Sequence, residues 1–138
     1  MYQVTKNFNL SDNFKIGEFA CHDSKKSVVV DRHLVKKLEE LRTACGNKSI
    51  TITSGYRSKE YNDALIKKGL KASPKSNHML GCAADIKISG MKPEEVAKKA
   101  IEVGFRGIGV YDTFTHVDVR YELVNGVQRA YDYWDMRK

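Results

Sequence analysis

What the chain has little of narrows its class first. It has 3 cysteines, Cys21, Cys45 and Cys82, an odd number with no C-x-x-C pair. That argues against a disulfide framework and a cysteine-rich metal site, and it makes Cys45 and Cys82 small buried hydrophobes. No apolar run approaches the ~20 residues that cross a bilayer, so no membrane span is expected. The first residues, Met1 to Leu10, hold no uninterrupted apolar stretch of the secretory type. The expectation is therefore a protein cytoplasmic at synthesis, with any work outside the cell following release by another route. Negative charge is in deficit: 17 acidic residues face 24 basic ones, a formal charge of +7. Basic pairs at Lys25–Lys26, Lys36–Lys37, Lys67–Lys68 and Lys98–Lys99 favour an anionic partner. With neither zinc-finger spacing nor an RNP-like aromatic strand, that partner is not expected to be nucleic acid. There is no linker, repeat or low-complexity tract. The 138 residues suit a single domain, 1–138, with 1–30 as an N-terminal extension packing on it.

What is present alternates between helical and extended patterns. Residues 1–15 read as irregular, pinned by Phe8, Leu10 and Phe14, and Ile16 to Ala20 as one short turn. Cys21, His22 and Asp23 lack a matching ligand pair and read as structural or exposed, and Val28 to Val30 as a short extended run. Asp31 is placed to cap a helix whose stripe is Leu34, Leu38, Leu41 and Cys45 and whose stop is Gly46. His33 falls on its surface. Ser49 to Ser54 alternates and is β-branched, a strand broken by Gly55. Ser58 opens a second helix to about Lys68, carrying Tyr61, Leu65 and Ile66, and a loop from Lys71 to Lys75 follows. Cys82 to Ile88 is a strand with Ala83, Asp85 and Lys87 on one face and Ala84, Ile86 and Ile88 on the other. Pro93, Glu94 and Glu95 open a third helix that ends at Gly104. Gly107 to Tyr111 and Phe114 to Arg120 read as strands around a turn at Asp112–Thr113, and Tyr131 to Trp134 as a polar aromatic tail. Period two puts His116, Asp118 and Arg120 on one face. The fold class is α+β: a small, mainly antiparallel sheet with helices packed on one side.

The chemistry concentrates in Ser76 to Asp85, which reads S-x-H-x-x-G-x-A-x-D, and in the later His116-Val117-Asp118. Two imidazoles and a carboxylate, His78, His116 and Asp85, make a three-ligand catalytic zinc site with its fourth position open to water. Gly81, Ala83 and Ala84 leave room for a metal and a substrate. The reaction class that follows is metal-assisted hydrolysis, with a hydrogen-bonded core histidine as the competing reading of each imidazole.

Together with Ser54-Gly55-Tyr56-Arg57-Ser58, Gly107 to Tyr111 and Phe114 to Asp118, these motifs resemble the D-Ala-D-Ala zinc peptidase family, from about Asp31 to Arg120. The resemblance implies the fold shared by those peptidases and the hedgehog signalling domain. It implies Zn2+ held by His78, Asp85 and His116, and a peptidoglycan peptide as substrate. By the same resemblance, Arg57 faces the substrate carbonyl and would stabilise its oxyanion, and Tyr56 and Ser76 are substrate-binding candidates. Ser76 reads equally as a loop cap. The position three before the last histidine, acidic in many relatives, is Thr113 here. Asp118 is the first candidate base and Asp112 the second, and Asp118 as a residue that orients a ligand is the competing reading.

Three functions stay open at this stage. The leading one is an endolysin-type endopeptidase acting on peptidoglycan after release, a monomer drawn to an anionic cell-wall polymer. The second is a D,D-carboxypeptidase that trims terminal D-alanine. The third is a non-catalytic zinc module that binds the wall.

Overall fold

A computed structural model describes residues 2–3, 6–70, 76–120 and 131–138. The α+β expectation holds. A five-stranded sheet runs β3 (Ile50–Ser54), β4 (Ala83–Ile88), β6 (Thr115–Asp118), β5 (Gly107–Val110) and β7 (Asp132–Asp135) in spatial order. Every neighbouring pair is antiparallel except β5 with β7. A second, two-stranded sheet joins β1 (Tyr2–Gln3) to β2 (Ser27–Val28). The loop expected over 71–75 lies outside the described residues.

The helices form where their ends are chemically marked. Asp31 caps α1 (Arg32–Ala44) by accepting from His33 N at 2.8 Å, which satisfies an otherwise orphaned amide. Pro93 occupies the first turn of α3 (Pro93–Val103), where its missing N–H costs nothing, and Glu95 accepts from Lys92 N. Leu34, Leu38 and Leu41 of α1 and Val96, Ala97 and Ala100 of α3 share one core with Ala84, Ile86, Ile88, Ile108, Val110 and Val117 of the sheet. The helix α2 (Lys59–Lys67) departs from its expected apolar stripe. Tyr61, Leu65 and Ile66 are only half-buried, and Asn62 is the side chain it buries.

The N-terminal segment joins the same core through Phe14, Ile16 and Phe19, while Phe8 is exposed. Its anchor is polar as well: Glu39 of α1 accepts from Ser11 Oγ, Asn13 N and Asn13 Nδ2 at 2.6 to 2.8 Å. Ile16–Phe19 forms a 3₁₀ turn. Gly55 lies against it so closely that a Cβ there would sit 2.7 Å from the Phe19 backbone. The aromatic tail is the clearest departure from the sequence reading. It is β7, which adds to the sheet edge by parallel pairing with β5.

Candidate metal centre

Register assembles the site. Across the five strands, Ser54 lies opposite Asp85, Asp85 opposite His116, His116 opposite Gly109, and Gly109 opposite Trp134. Because side chains alternate between faces, one such row is presented together on the face opposite the core. A register shift between Ile52 and Ser54 brings Ser54, rather than Thr53, opposite Asp85. His78 comes from outside the sheet, on a 3₁₀ turn (Asn77–Leu80) capped by Ser76 Oγ, which accepts from His78 N at 3.1 Å. That turn ends at Gly81 with φ +71°, a left-handed conformation that favours glycine, and a Cβ there would overlap Val29 O.

The three expected ligands converge. His78 Nε2 and His116 Nδ1 lie 3.2 and 3.1 Å from the same oxygen, Asp85 Oδ1. All three donor atoms lie within 4.8 Å of one another and all three residues are buried. Each imidazole is held from behind. Gly55 O lies 2.7 Å from His78 Nδ1, which fixes that nitrogen as the N–H. Asp118 Oδ2 does the same for His116 Nε2 at 2.7 Å. Both tautomers therefore turn a lone pair toward Asp85, the arrangement a carboxylate–histidine–metal site uses. Three electron donors facing one point require a positive charge among them. A proton can meet that need as well as a metal cation. Burial lowers His78 below its ordinary value. His116 is pushed up to about 9: burial opposes its charged form, but hydrogen bonds to Asp118 and Asp85 outweigh that. Burial alone would raise Asp85, but the two histidines hold it well below the usual carboxylate range. The donor set, two imidazole nitrogens and a carboxylate, fits Zn2+, with His116 giving up a proton when the metal binds.

The cavity over this cluster has a volume of about 160 Å³. Among the described residues, it is lined by Arg57, Ser76 and Asn77 on one side and Tyr111, Phe114, Arg120 and Trp134 on the other. Arg57 donates from Nη2 to Asp85 Oδ2 and from Nε to Ser54 Oγ, both at 3.3 Å, so its guanidinium is aimed at the ligand carboxylate. A larger cleft of about 560 Å³ lies against Gly17, Glu18, Cys21 and His22 and contains none of the three ligands.

Three other candidates sit differently. Asp118 is 0% exposed. Besides His116, its oxygens accept from Arg120 N, Nε and Nη2 at 2.7 to 3.1 Å. Burial would raise its pKa, but Arg120 and His116 hold it well below the usual carboxylate range. Asp112 is exposed on the turn after β5, accepts from Lys138 N, and does not line the cavity. Tyr56 packs against the hydrophobic core instead of the cavity. Its N–H donates to Phe19 O, and burial, with Cys21, Glu60 and Asp23 nearby, raises its pKa. Thr113 faces away, into a cavity with Ile86 and Pro93.

The sequence reading did not single out Asn77, Tyr111, Phe114, Arg120 or Trp134 as site residues. The period-two pattern did place Arg120 on the face of His116. For Trp134 the sequence carried no signal, because nothing local marks a parallel partner.

Comparison with known proteins agrees with this geometry. The peptidase M15 family profile matches residues 12–118. The chain is 30% identical over 103 residues to the "Peptidoglycan L,D-endopeptidase MepK" of Escherichia coli strain K12, a match covering 72% of this chain and 57% of that protein. It matches the protein of the same name from Shigella flexneri equally well. It is 31% identical over 93 residues to the "Probable peptidoglycan L,D-endopeptidase MepK" of Haemophilus influenzae, covering 64% of this chain and 50% of that one. The chain thus spans about half the length of the curated relatives it matches. The matched segment encloses His78, Asp85 and His116, and the chain belongs to the peptidase M15 family, the D-Ala-D-Ala zinc peptidases that its motifs resemble.

Proposed function

We propose that this protein is a zinc-dependent peptidoglycan peptidase of the endopeptidase type, cutting a peptide bond in the stem peptide or cross-link. The observation that carries the reading is the convergence of His78 Nε2, Asp85 Oδ1 and His116 Nδ1, each imidazole held from behind. The relatives' names support peptidoglycan as the substrate and an L,D bond as the target.

His78, Asp85 and His116 would hold the zinc ion, which would supply a Lewis acid for the scissile carbonyl and lower the pKa of water. The chain's own residues do the rest. Gly55 O and Asp118 keep both imidazoles in the ligating tautomer. Arg57 places positive charge beside the ligand carboxylate, where it meets the oxyanion that develops on the carbonyl. Asp118 acts by positioning. Among the described residues, its carboxylate accepts from His116 and Arg120, and it is fully buried and does not line the cavity, so it is not placed to take a proton from water there. Among the described residues, Asp85 is the one carboxylate that lines the cavity.

The test is mass spectrometry of purified peptidoglycan incubated with the zinc-loaded chain, with and without a chelator. Chelator-sensitive fragments are expected, and their masses identify the bond. An unchanged digest with zinc bound defeats the reading. One observation favours a second reading, the D,D-carboxypeptidase: Arg57 and Arg120 line the same small cavity, and two guanidiniums suit a free terminal carboxylate. In that case the same experiment releases only alanine.

The charge of +7 supports delivery to an anionic cell wall. In the endolysin-type setting, the protein is a monomer that reaches the wall after release. Lysis of intact cells should then weaken steeply as salt is added.

A further inference from the structure

We propose that the Tyr111 hydroxyl is a catalytic hydrogen-bond donor, which binds the scissile carbonyl oxygen as it becomes an oxyanion, from the cavity wall opposite Arg57. The inference rests on the peptidase reading above and adds a residue to its chemistry.

The hydroxyl is placed by β5. Tyr111 follows that strand directly, and its N–H donates to Phe114 O across the turn at 3.1 Å. Gly109 precedes it by two residues, the spacing that shares a strand face. Gly109 stands between His116 and Trp134 in the transverse row, and a Cβ there would overlap Trp134 Nε1. With no side chain in between, the indole lies across the strand, its ring centre 5.2 Å from that of His116. Its Nε1–H donates to Tyr111 Oη at 3.1 Å. Phe114 stacks on the Tyr111 ring at 4.4 Å and 10°. The phenol is therefore held at its oxygen by Trp134 and at its face by Phe114.

A phenol oxygen that accepts from an indole still has its own proton to give. Among the described residues that proton has no acceptor. Tyr111 is half-buried and lines the same cavity as His78, Asp85 and His116. The other residues on its wall have little to donate. Phe114 has no donor, and the indole's one donor is engaged. Arg120 directs Nε and Nη2 to Asp118 and Nη1 to Asp132. On the opposite wall Arg57 turns Nε to Ser54 and Nη2 to Asp85. Tyr111 thus keeps an unspent proton, which gains a partner when negative charge develops on the carbonyl oxygen. Because the ring is already held, little reorganisation is needed at the moment of reaction.

The test compares the zinc-loaded full chain with Tyr111→Phe, which removes the oxygen and keeps the ring. The substrate is a synthetic peptide carrying the bond that the peptidoglycan digest identifies. The second probe is the phosphinate analogue of that peptide, whose tetrahedral centre bears the anionic oxygen, titrated by calorimetry without turnover. In Tyr111→Phe, kcat should fall about 10²–10³-fold with KM little changed. Affinity for the phosphinate should fall in proportion to kcat/KM. Zinc content and circular dichroism should stay native, since Tyr111 is neither a ligand nor part of the apolar cluster. Trp134→Phe keeps the hydroxyl but removes the bond that holds it, and should show a smaller loss of kcat, again with KM little changed. Tyr111→Phe with unchanged kcat and phosphinate affinity overturns the donor while the peptidase reading stands, as does a loss confined to KM. If Tyr111→Phe does not fold, unchanged kcat in Trp134→Phe overturns the donor instead. A wild type that binds zinc and cleaves nothing overturns both.

Discussion

The two faces of the five-stranded sheet are made from alternate residues of the same strands, yet they are built on different principles. On one face Ala84, Ile86, Ile108, Val110 and Val117 are all 0% exposed and share an apolar cluster with α1 and α3. Those contacts are numerous and non-directional, so each residue contributes an increment. On the other face Asp85, His116, Asp118, Arg120 and Asp132 form a chain of directed hydrogen bonds. There each group is the partner that another depends on, and removing one leaves a buried polar atom exposed to the full desolvation cost. The apolar face should therefore govern stability and the polar face chemistry, and substitutions can separate the two.

The largest separation is expected from His116→Ala or His78→Ala. Metal content by atomic absorption should fall from near-stoichiometric to background, and chelator-sensitive hydrolysis should disappear. Circular dichroism should stay native, because neither imidazole belongs to the apolar cluster. Loss of fold in both variants would break the comparison.

Next comes the opposite face. Ile86→Ala removes a fully buried side chain at the centre of β4 and should cost about 2–5 kcal/mol in urea unfolding. Zinc affinity of the folded fraction should be unchanged. A parallel loss of affinity would show that the faces are coupled through the strand.

Asp118→Asn is a smaller and more selective change. It keeps the shape but weakens the charge behind His116 Nε2 and in front of Arg120. Zinc affinity should fall about 10–100-fold in a chelator competition. If Asp118 were the base instead, affinity would hold and turnover alone would collapse.

The smallest effect lies outside both faces. Burial opposes the charged form of Glu39, but hydrogen bonds from Ser11 and Asn13 outweigh it and lower its pKa below 4.5. A lowered folded pKa contributes stability that is complete above the unfolded value and lost as pH falls through the folded one. Glu39→Gln should therefore cost about 1 kcal/mol or less at pH 7, since the group is partly exposed. The gap between variant and wild type should close in acid unfolding curves below about pH 4.

Much of the apolar face was legible, because burial is written as periodicity. Ala84, Ile86 and Ile88 alternate with Ala83, Asp85 and Lys87, and Leu34, Leu38 and Leu41 recur at helical spacing, as the structure has them. The clustering of His78, Asp85 and His116 was legible for a related reason: His78 and Asp85 share one short motif, and His116 lies in a second alternating run. The wall of the cavity was not. Trp134 meets Tyr111 across 23 residues, and its parallel pairing with β5 leaves no local mark. Tyr56 follows Gly55 in the motif that carries Arg57, yet the two side chains take different surroundings. Arg57 lines the cavity and Tyr56 packs on the core.

The sequence by itself determined the α+β class, the three helices, which face of each inner strand is apolar, and the residue types that can hold a metal. These follow from local patterns, since side-chain direction repeats every 2 residues in a strand and about every 3.6 in a helix. The tertiary structure decided that Asp118 turns its oxygens to His116 and Arg120, that Ser54 instead of Thr53 stands opposite Asp85, and that Trp134 closes the cavity over Gly109. Each of these depends on the register between strands. Register is a relation between distant segments, and the pattern within either one does not contain it.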